Sequence, residues 1–284
     1  MDIKRKARKE DIIWDRSIHN VFSWLFFAMQ LFGFMPLRGI FKRDLSAIKF
    51  TWMSWISLYA LLTSAGMFFM LATQVARFFI YNMHTQEMQR FFYFMKSWFV
   101  SWFFFVLARE WKDMLVRWNE VDEALARFGR PKCAKRKLNF GMVFFIAFFI
   151  GDYVLIQTQR TEQDILKHSV ILSWKAWEHF QKHRIFKYIY ELYPYNFFSS
   201  LCLLIIQLQV LFSGTFLDLF IMGTSFCLAS RMKLITKKIK EMSFKRMESD
   251  EVWINLRESY NKLELLCCYI NSKIGVAVLI CFMG

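Results

Sequence analysis

The sequence is poor in the residues that interrupt helices. Its 284 residues include only 3 Pro and 10 Gly, while 56% are hydrophobic and 34 are Phe. This usage is more apolar and more aromatic than that of an ordinary soluble domain. It predicts long helices packed in a membrane. No Gly-rich phosphate loop and no serine nucleophile-elbow motif appears in the sequence, so it offers no visible catalytic apparatus.

Cysteine and histidine also lack the patterns that mark disulfide frameworks or metal sites. Cys133 lies in a basic loop, and the other five cysteines lie in or beside apolar segments, so we expect no disulfide framework. His179 and His183 have the four-residue spacing of a metal-binding pair, but no third ligand accompanies them. We therefore expect neither a metal nor another cofactor.

Charge is almost absent from one long stretch. Asp218 is the one charged residue among the 35 residues from 196 to 230. A helix needs only about 20 apolar residues to cross the bilayer core. A carboxylate inside a spanning helix is costly if it faces lipid, so such a group usually lines a cavity or contacts another helix. Asp218 is therefore a candidate ligand-binding residue or a helix-packing residue.

Basic residues outnumber acidic residues by 38 to 23, and the formal net charge is +15. The basic residues concentrate at 4–9, 109–137 and 231–262, which are alternate loops between apolar segments. This alternation is typical of cytoplasmic loops in a membrane protein. It favours a cytoplasmic N-terminus, and it argues against nucleic-acid binding because the intervening apolar segments separate the basic blocks.

The apolar segments predict a single transmembrane domain over 1–284. Residues 1–49 form a cytoplasmic N-terminus whose apolar stretch, 21–37, is expected at the inner membrane interface or tucked among the spans. Residues 231–262 are predicted as a cytoplasmic helical segment, and 263–284 as a fifth span that ends early, as in a truncated chain. The complete spans are predicted at about 50–73, 91–107, 138–156 and 197–229.

Several motifs resemble one family of membrane receptors. QLFGFMPLRGI from Gln30, followed by Asp44, Phe50, Trp52 and Tyr59, resembles the N-terminal signature of insect gustatory receptors, particularly the sugar-sensing clade. FSGTFLDLFIM at 212–222, with LASR at 228–231, resembles the fourth helix of that clade. Trp253, Leu256, Arg257 and Tyr260 resemble the cytoplasmic helix before the fifth span. The order and spacing of these motifs together are more specific than any one of them.

The resemblance implies an all-α, polytopic transmembrane helix bundle of the seven-helix insect chemoreceptor type, here without its last helices. It implies a plasma-membrane taste receptor subunit for sugars. Such subunits assemble as homo- or hetero-tetramers with other gustatory receptor subunits and act as ligand-gated non-selective cation channels. The partners implied are a sugar ligand, the lipid bilayer and those subunits, and the chain as it stands is not expected to conduct.

Polar residues near the outer ends of the predicted spans are further ligand-binding candidates. They combine hydrogen-bonding groups with aromatic rings, although ordinary interfacial or helix-packing roles remain alternatives. Besides Asp218, the candidates are Asp152, Tyr153, Gln157, Trp177, Glu178, Gln207 and Gln209.

Two other functions stay open from the sequence. An odorant-receptor-like protein would bind small apolar ligands, and the polar outer residues would then be incidental. A membrane-embedded lipid-modifying enzyme would need a catalytic histidine near the bilayer boundary. A response to sugar would distinguish the sugar-receptor interpretation from both alternatives.

Overall fold

The computed structural model describes residues 18–42, 47–80, 85–129, 186–245 and 250–281. Between 140 and 182 it describes 140–141, 143–144, 146–148, 150–151, 155, 178 and 181–182. The helices with defined bounds are α1 (Ile18–Leu31), α2 (Trp55–Ile80), α3 (Thr85–Leu125), α4 (Lys187–Tyr190), α5 (Phe197–Lys245) and α6 (Asp250–Cys281). Within the described residues the β pairing is one antiparallel bridge, between Arg38 and Lys49. The predicted all-α fold class is confirmed.

Among the residues that the structure describes, four helices are long and apolar enough to cross a membrane: α2, α3, α5 and α6. The chain is therefore a multi-pass helical membrane protein. α5 has 49 residues, which is about 73 Å at 1.5 Å per residue. This length exceeds twice the ~30 Å bilayer core, so α5 must continue well into water. Its basic residues from Arg231 onward occupy that extension.

The predicted spans remain predictions, but the structure gives the bounds of the helices that contain them. One continuous helix, α3, contains residues 91–107 and the amphipathic stretch that follows them. The helix runs without a break through Arg109 and Glu110. The predicted span at 138–156 is helical wherever it is described. Residues 263–281 belong to α6, which begins at Asp250.

Helix α1 packs against α3 and α5, around Trp111 and Phe220. The Phe26 ring meets the Trp111 ring edge-on at 4.7 Å, and Phe22 lies 5.5 Å from Phe220. His19 is also buried. Its Nε2 donates to the Ile40 carbonyl oxygen at 2.8 Å, and the Trp111 Nε1–H donates to its Nδ1 at 3.2 Å. Burial lowers the pKa of His19 to about 4, so the ring is neutral and both nitrogens are satisfied.

A glycine ends α1 and turns the chain back toward α2. Gly33 has φ +76°, and the Phe34 amide bonds the Met29 carbonyl at 2.9 Å, as in a Schellman C-cap. A Cβ at Gly33 would lie 2.2 Å from the Thr63 hydroxyl. Both the left-handed conformation and the close approach of α2 therefore require glycine here.

The C-terminal half of α3 packs antiparallel against α6. Arg127 donates to the Asn255 side-chain oxygen at 2.9 Å near one end, and Lys273 forms a 2.8 Å ion pair with Glu110 near the other. Between them, the Arg117 guanidinium lies 4.5 Å from the centre of the Tyr269 ring. These contacts fix the register of α6 on α3.

A buried ion pair joins α3 to α5 just beyond the apolar part of α5. The guanidinium of Arg231 donates to both carboxylate oxygens of Asp122, at 2.7 and 2.6 Å, and to the Cys227 carbonyl at 2.9 Å. It also lies 4.8 Å from the centre of the Trp118 ring. Only 5% of the Arg231 side chain is exposed. The two parallel donations to one carboxylate are charge-assisted hydrogen bonds, which are stronger than bonds between neutral groups.

Candidate ligand site at the outer end of the bundle

The end of the bundle where α2 ends and α3 and α5 begin is the predicted outer end. Charged side chains connect the elements there. Arg77 of α2 forms 3.0 Å ion pairs with Glu87 of α3 and with Glu191, which follows α4. The short helix α4 is thereby held against α2 and α3, and the tyrosine-rich stretch around it is placed over the outer end of the bundle.

Tyrosine and phenylalanine rings form a continuous row under this ion-pair group. The Tyr188 and Phe186 rings lie 6.4 Å apart, Phe186 lies 6.5 Å from Tyr190, and Tyr190 lies 5.1 Å from Tyr195. The Tyr188 hydroxyl contacts the Met70 sulfur at 3.7 Å. The row thus runs from the outer part of α2 to the beginning of α5.

The far end of the row carries hydroxyl groups and a carboxylate. The Tyr195 hydroxyl neighbours the side chains of Ser200, Tyr190 and Glu178, yet the Tyr195 and Ser200 hydroxyls do not form a hydrogen bond of regular geometry. Desolvation raises the pKa of Tyr195 above its ordinary value, and the negative charge of Glu178 acts in the same direction. Tyr195 therefore remains a neutral hydroxyl near neutral pH.

Two amides at this end are buried without full hydrogen bonding. Gln181 is 0% exposed, and neither its amide nitrogen nor its side-chain oxygen has a hydrogen-bond partner among the described residues. The Gln74 amide nitrogen, one helical turn beyond Met70, is in the same state. We call the polar side chains of this region the outer polar layer: Gln74, Glu178, Gln181, Tyr188, Tyr190, Tyr195 and Ser200.

Buried polar groups usually find partners, so this layer is unusual. Amides and hydroxyls both donate and accept hydrogen bonds, and a carboxylate accepts them. Together with the row of rings, they suit a small ligand that carries many hydroxyl groups.

The two glutamines predicted on α5 have different surroundings. Gln209 is buried, and its Nε2 donates to the Tyr59 and Thr63 hydroxyls of α2, each at 3.1 Å. The Tyr59 hydroxyl donates in turn to the Leu31 carbonyl oxygen at 3.0 Å. Gln207 is half-buried, and its side-chain oxygen has no hydrogen-bond partner among the described residues. Gln209 thus joins α5 to α2 and to the end of α1, whereas Gln207 retains a free acceptor.

Asp218 lies on the exposed side of α5, although Leu217 and Leu219 beside it are buried. It is eleven residues beyond Gln207, which is about 16 Å along a helix. The structure therefore does not bring Asp218 to the outer polar layer.

Of the other predicted candidates, Glu178 is half-buried and belongs to the layer. Asp152, Tyr153, Gln157 and Trp177 lie outside the described residues. Six members of the layer were not among the candidates predicted from the sequence. The repeated tyrosines of KYIYELYPY, at 187–195, were the available signal for three of them. The six are Gln74, Gln181, Tyr188, Tyr190, Tyr195 and Ser200.

Comparison with known proteins decides the family. The family model described as "Trehalose receptor" matches residues 1–284. The chain belongs to the trehalose receptor family. The resemblance to gustatory receptors of the sugar-sensing clade is thereby confirmed.

Three Drosophila melanogaster proteins similar to this chain are also gustatory receptors by name. Gustatory receptor for sugar taste 64b is 23% identical over 280 residues, covering 94% of this chain and 66% of the relative. Gustatory receptor for sugar taste 64a is 22% identical, covering 92% of the chain and 58% of the relative. Gustatory receptor for sugar taste 61a is 24% identical, covering 88% and 58%. These relatives are receptors and not enzymes, and the chain spans about 58 to 66% of their length.

Proposed function

We propose that the chain belongs to a taste receptor subunit for sugars, and that the outer polar layer binds the sugar. The observation that carries this assignment is the side chain of Gln181, which is fully buried and whose two polar atoms have no hydrogen-bond partner among the described residues. The backbone carbonyl of Gln181 accepts from the amide of Phe186, a member of the row of rings, at 3.0 Å. Three relatives are named for sugar taste, and a sugar offers the hydroxyl groups that such an amide needs.

The chemistry of the layer fits a sugar better than an apolar odorant. Sugar hydroxyls donate and accept hydrogen bonds, and the apolar face of a sugar ring packs on an aromatic ring. A buried polar site rejects a ligand that lacks matching hydroxyls, because its own groups then stay unpaired. An apolar ligand would leave Gln181 and Gln74 unsatisfied.

The proposed activity is that of a ligand-gated non-selective cation channel in the plasma membrane. The N-terminus is cytoplasmic, and the working receptor is a homo- or hetero-tetramer of gustatory receptor subunits. Sugar opens the channel only to the extent that it binds the open arrangement more tightly than the closed one. The continuous helices α3 and α5 extend from the outer polar layer into the cytoplasmic extensions, so they supply a rigid connection between the layer and the inner half of the bundle.

The proposal is tested by recording calcium entry against a sugar panel in cells that express the full-length receptor from the source transcript. Gln181→Leu should raise the half-maximal sugar concentration by about tenfold, the cost of one lost buried polar interaction of about 1–2 kcal/mol. Asn271→Leu, a matched change at an exposed position of α6, should leave it unchanged.

Surface labelling of both variants controls for folding and delivery. Equal sensitivity of the wild type and Gln181→Leu at equal surface expression would contradict the assigned site. A response to apolar volatiles, with none to sugars, would replace the sugar assignment with the odorant-receptor alternative.

A further inference from the structure

A basic and aromatic surface lies on the predicted cytoplasmic side, before α2. Between residues 16 and 86 the sequence has one acid, Asp44, which lies outside the described residues, whereas 38–49 alone contains four basic residues. Arg38, Lys42 and Lys49 are all exposed. None of the three forms an ion pair within the described part of the chain. We call this surface the basic bridge patch.

The antiparallel bridge places two of these cations side by side. The Arg38 amide bonds the Lys49 carbonyl at 2.9 Å, and the Lys49 amide bonds the Arg38 carbonyl at 3.3 Å. Residues directly opposite in such a pair project their side chains to the same face, with Cβ atoms about 5 Å apart, and like charges there repel. An anion bound between the two side chains would remove that repulsion.

Exposed aromatic side chains border the cations. The Trp24 and Phe27 rings lie 5.5 and 5.6 Å from the Phe41 ring, and all three side chains are exposed. Near Lys49, Trp52 is exposed as well. Apolar rings beside exposed cations match the headgroup level of a bilayer, where tryptophan is enriched and basic side chains meet phosphate.

The start of α2 sets the depth of the patch. Met53 and Trp55 are 102% and 83% exposed, and α2 begins at Trp55 as the first long apolar helix. The patch therefore lies within a few residues of the level at which the chain enters the hydrocarbon core. A phosphate group at that level belongs to a lipid of the inner leaflet, the leaflet that carries anionic phospholipid.

We propose that the basic bridge patch binds an anionic phospholipid of the inner leaflet. The lipid phosphate lies between Arg38 and Lys49, Lys42 adds a third positive charge, and Trp24, Phe27 and Phe41 contact the acyl chains. This site is separate from the outer polar layer, and it does not depend on which ligand that layer binds.

The test is native mass spectrometry of the 284-residue chain purified from nanodiscs of equal parts phosphatidylcholine and phosphatidylserine. The wild type should retain phosphatidylserine in preference to phosphatidylcholine. Arg38→Gln/Lys49→Gln should reduce that preference by about thirtyfold, since each of the two cations contributes about 1 kcal/mol near an anionic surface and about 1.4 kcal/mol is tenfold. The bridge uses backbone groups, so this double variant should keep its thermal stability.

Lys237→Gln/Lys240→Gln is the matched control, because both lysines are exposed on the cytoplasmic extension of α5 and the charge change is the same. It should leave the preference unchanged. Arg38→Lys, which keeps the charge, should retain most of the preference.

Equal losses in the two double variants would show general charge attraction and overturn the site. Loss of the phosphatidylserine preference in the presence of soluble glycerophosphoserine would also overturn the site, since the ligand would then be the free anion. A changed oligomeric state with unchanged lipid preference would assign the patch to a second copy of the chain.

Discussion

At the residue scale, comparison of Gln209 with Gln207 measures how much side-chain hydrogen bonds of α5 contribute to the free energy of unfolding. Gln209→Leu removes two hydrogen bonds to α2 and leaves the Thr63 hydroxyl without this donor. Hydrogen bonds between membrane helices contribute about 0.6 kcal/mol on average, so two should contribute about 1 kcal/mol. Gln207→Leu removes an acceptor that has no partner within the described part of the chain, and its effect on the free energy of unfolding should be near zero.

Unfolding of the solubilised chain in increasing denaturant measures both variants. A larger loss for Gln207→Leu than for Gln209→Leu would contradict the assigned hydrogen bonds.

The neutral ring of His19 predicts a loss of stability in acid. The pKa is about 4 in the folded chain, against about 6.5 for an ordinary histidine. Between these values the unfolded chain binds more protons, so stability rises with pH across this window and is lost as pH falls from 6.5 toward 4. The full loss is about 3 kcal/mol.

Thermal unfolding of the wild type and His19→Gln at several pH values between 7 and 4 isolates this contribution, because the other four histidines are common to both proteins. The stability of the variant should depend less on pH across this window. Parallel pH profiles would show that His19 is not buried in the neutral form.

Asp218 shows why a residue's role was harder to predict than its helix. The surrounding apolar run is sufficient to predict a spanning helix. The direction of the carboxylate depends on how the helix is rotated about its axis. Near Asp218 every face of α5 carries apolar residues, so the sequence does not reveal which face is buried. Its exposed position, between buried Leu217 and Leu219, therefore emerges only from three-dimensional packing.

At the element scale, the ion pair between Arg231 and Asp122 is predicted to couple α3 and α5 more strongly than a surface pair does. Removing one partner of a buried ion pair leaves an uncompensated charge. A double-mutant cycle with Arg231→Leu and Asp122→Leu should give a coupling free energy of about 2 kcal/mol. The matched pair Lys237 and Glu241, within α5, is exposed and should give less than about 0.5 kcal/mol.

Equal coupling in the two cycles would contradict the assignment of Arg231 and Asp122 as a buried connection. Unfolding in denaturant supplies the free energies, and circular dichroism of each variant confirms that its helices persist.

Helix existence followed from the sequence, while the contacts between helices did not. The lack of charge at 196–230 predicted the apolar part of α5, and the spacing of apolar residues after Glu110 predicted the C-terminal part of α3. Tyr188, Tyr190 and Tyr195 follow no helical period, because they come together through the turn at α4 and the start of α5. The outer polar layer is therefore a product of packing that local spacing does not encode.

At the scale of the whole molecule, two regions have separate proposed tasks. The outer polar layer gathers unsatisfied amides, hydroxyls and aromatic rings where α2, α4 and α5 meet. The predicted inner end carries the ion pair of Arg231, helix α1 and the basic bridge patch. Because α3 and α5 run through both regions, a sugar bound at the outer end has a direct route to influence the inner half.

The most direct test of this account is sugar binding to the 284-residue chain in nanodiscs, measured by saturation-transfer NMR over a panel that includes trehalose. Binding needs no conduction, so it examines the outer polar layer by itself. We predict saturable binding of at least one sugar, weakened by about tenfold in Gln181→Leu and unchanged in Asn271→Leu. Binding that is equal in all three proteins, or no binding by a folded wild-type chain, would contradict it.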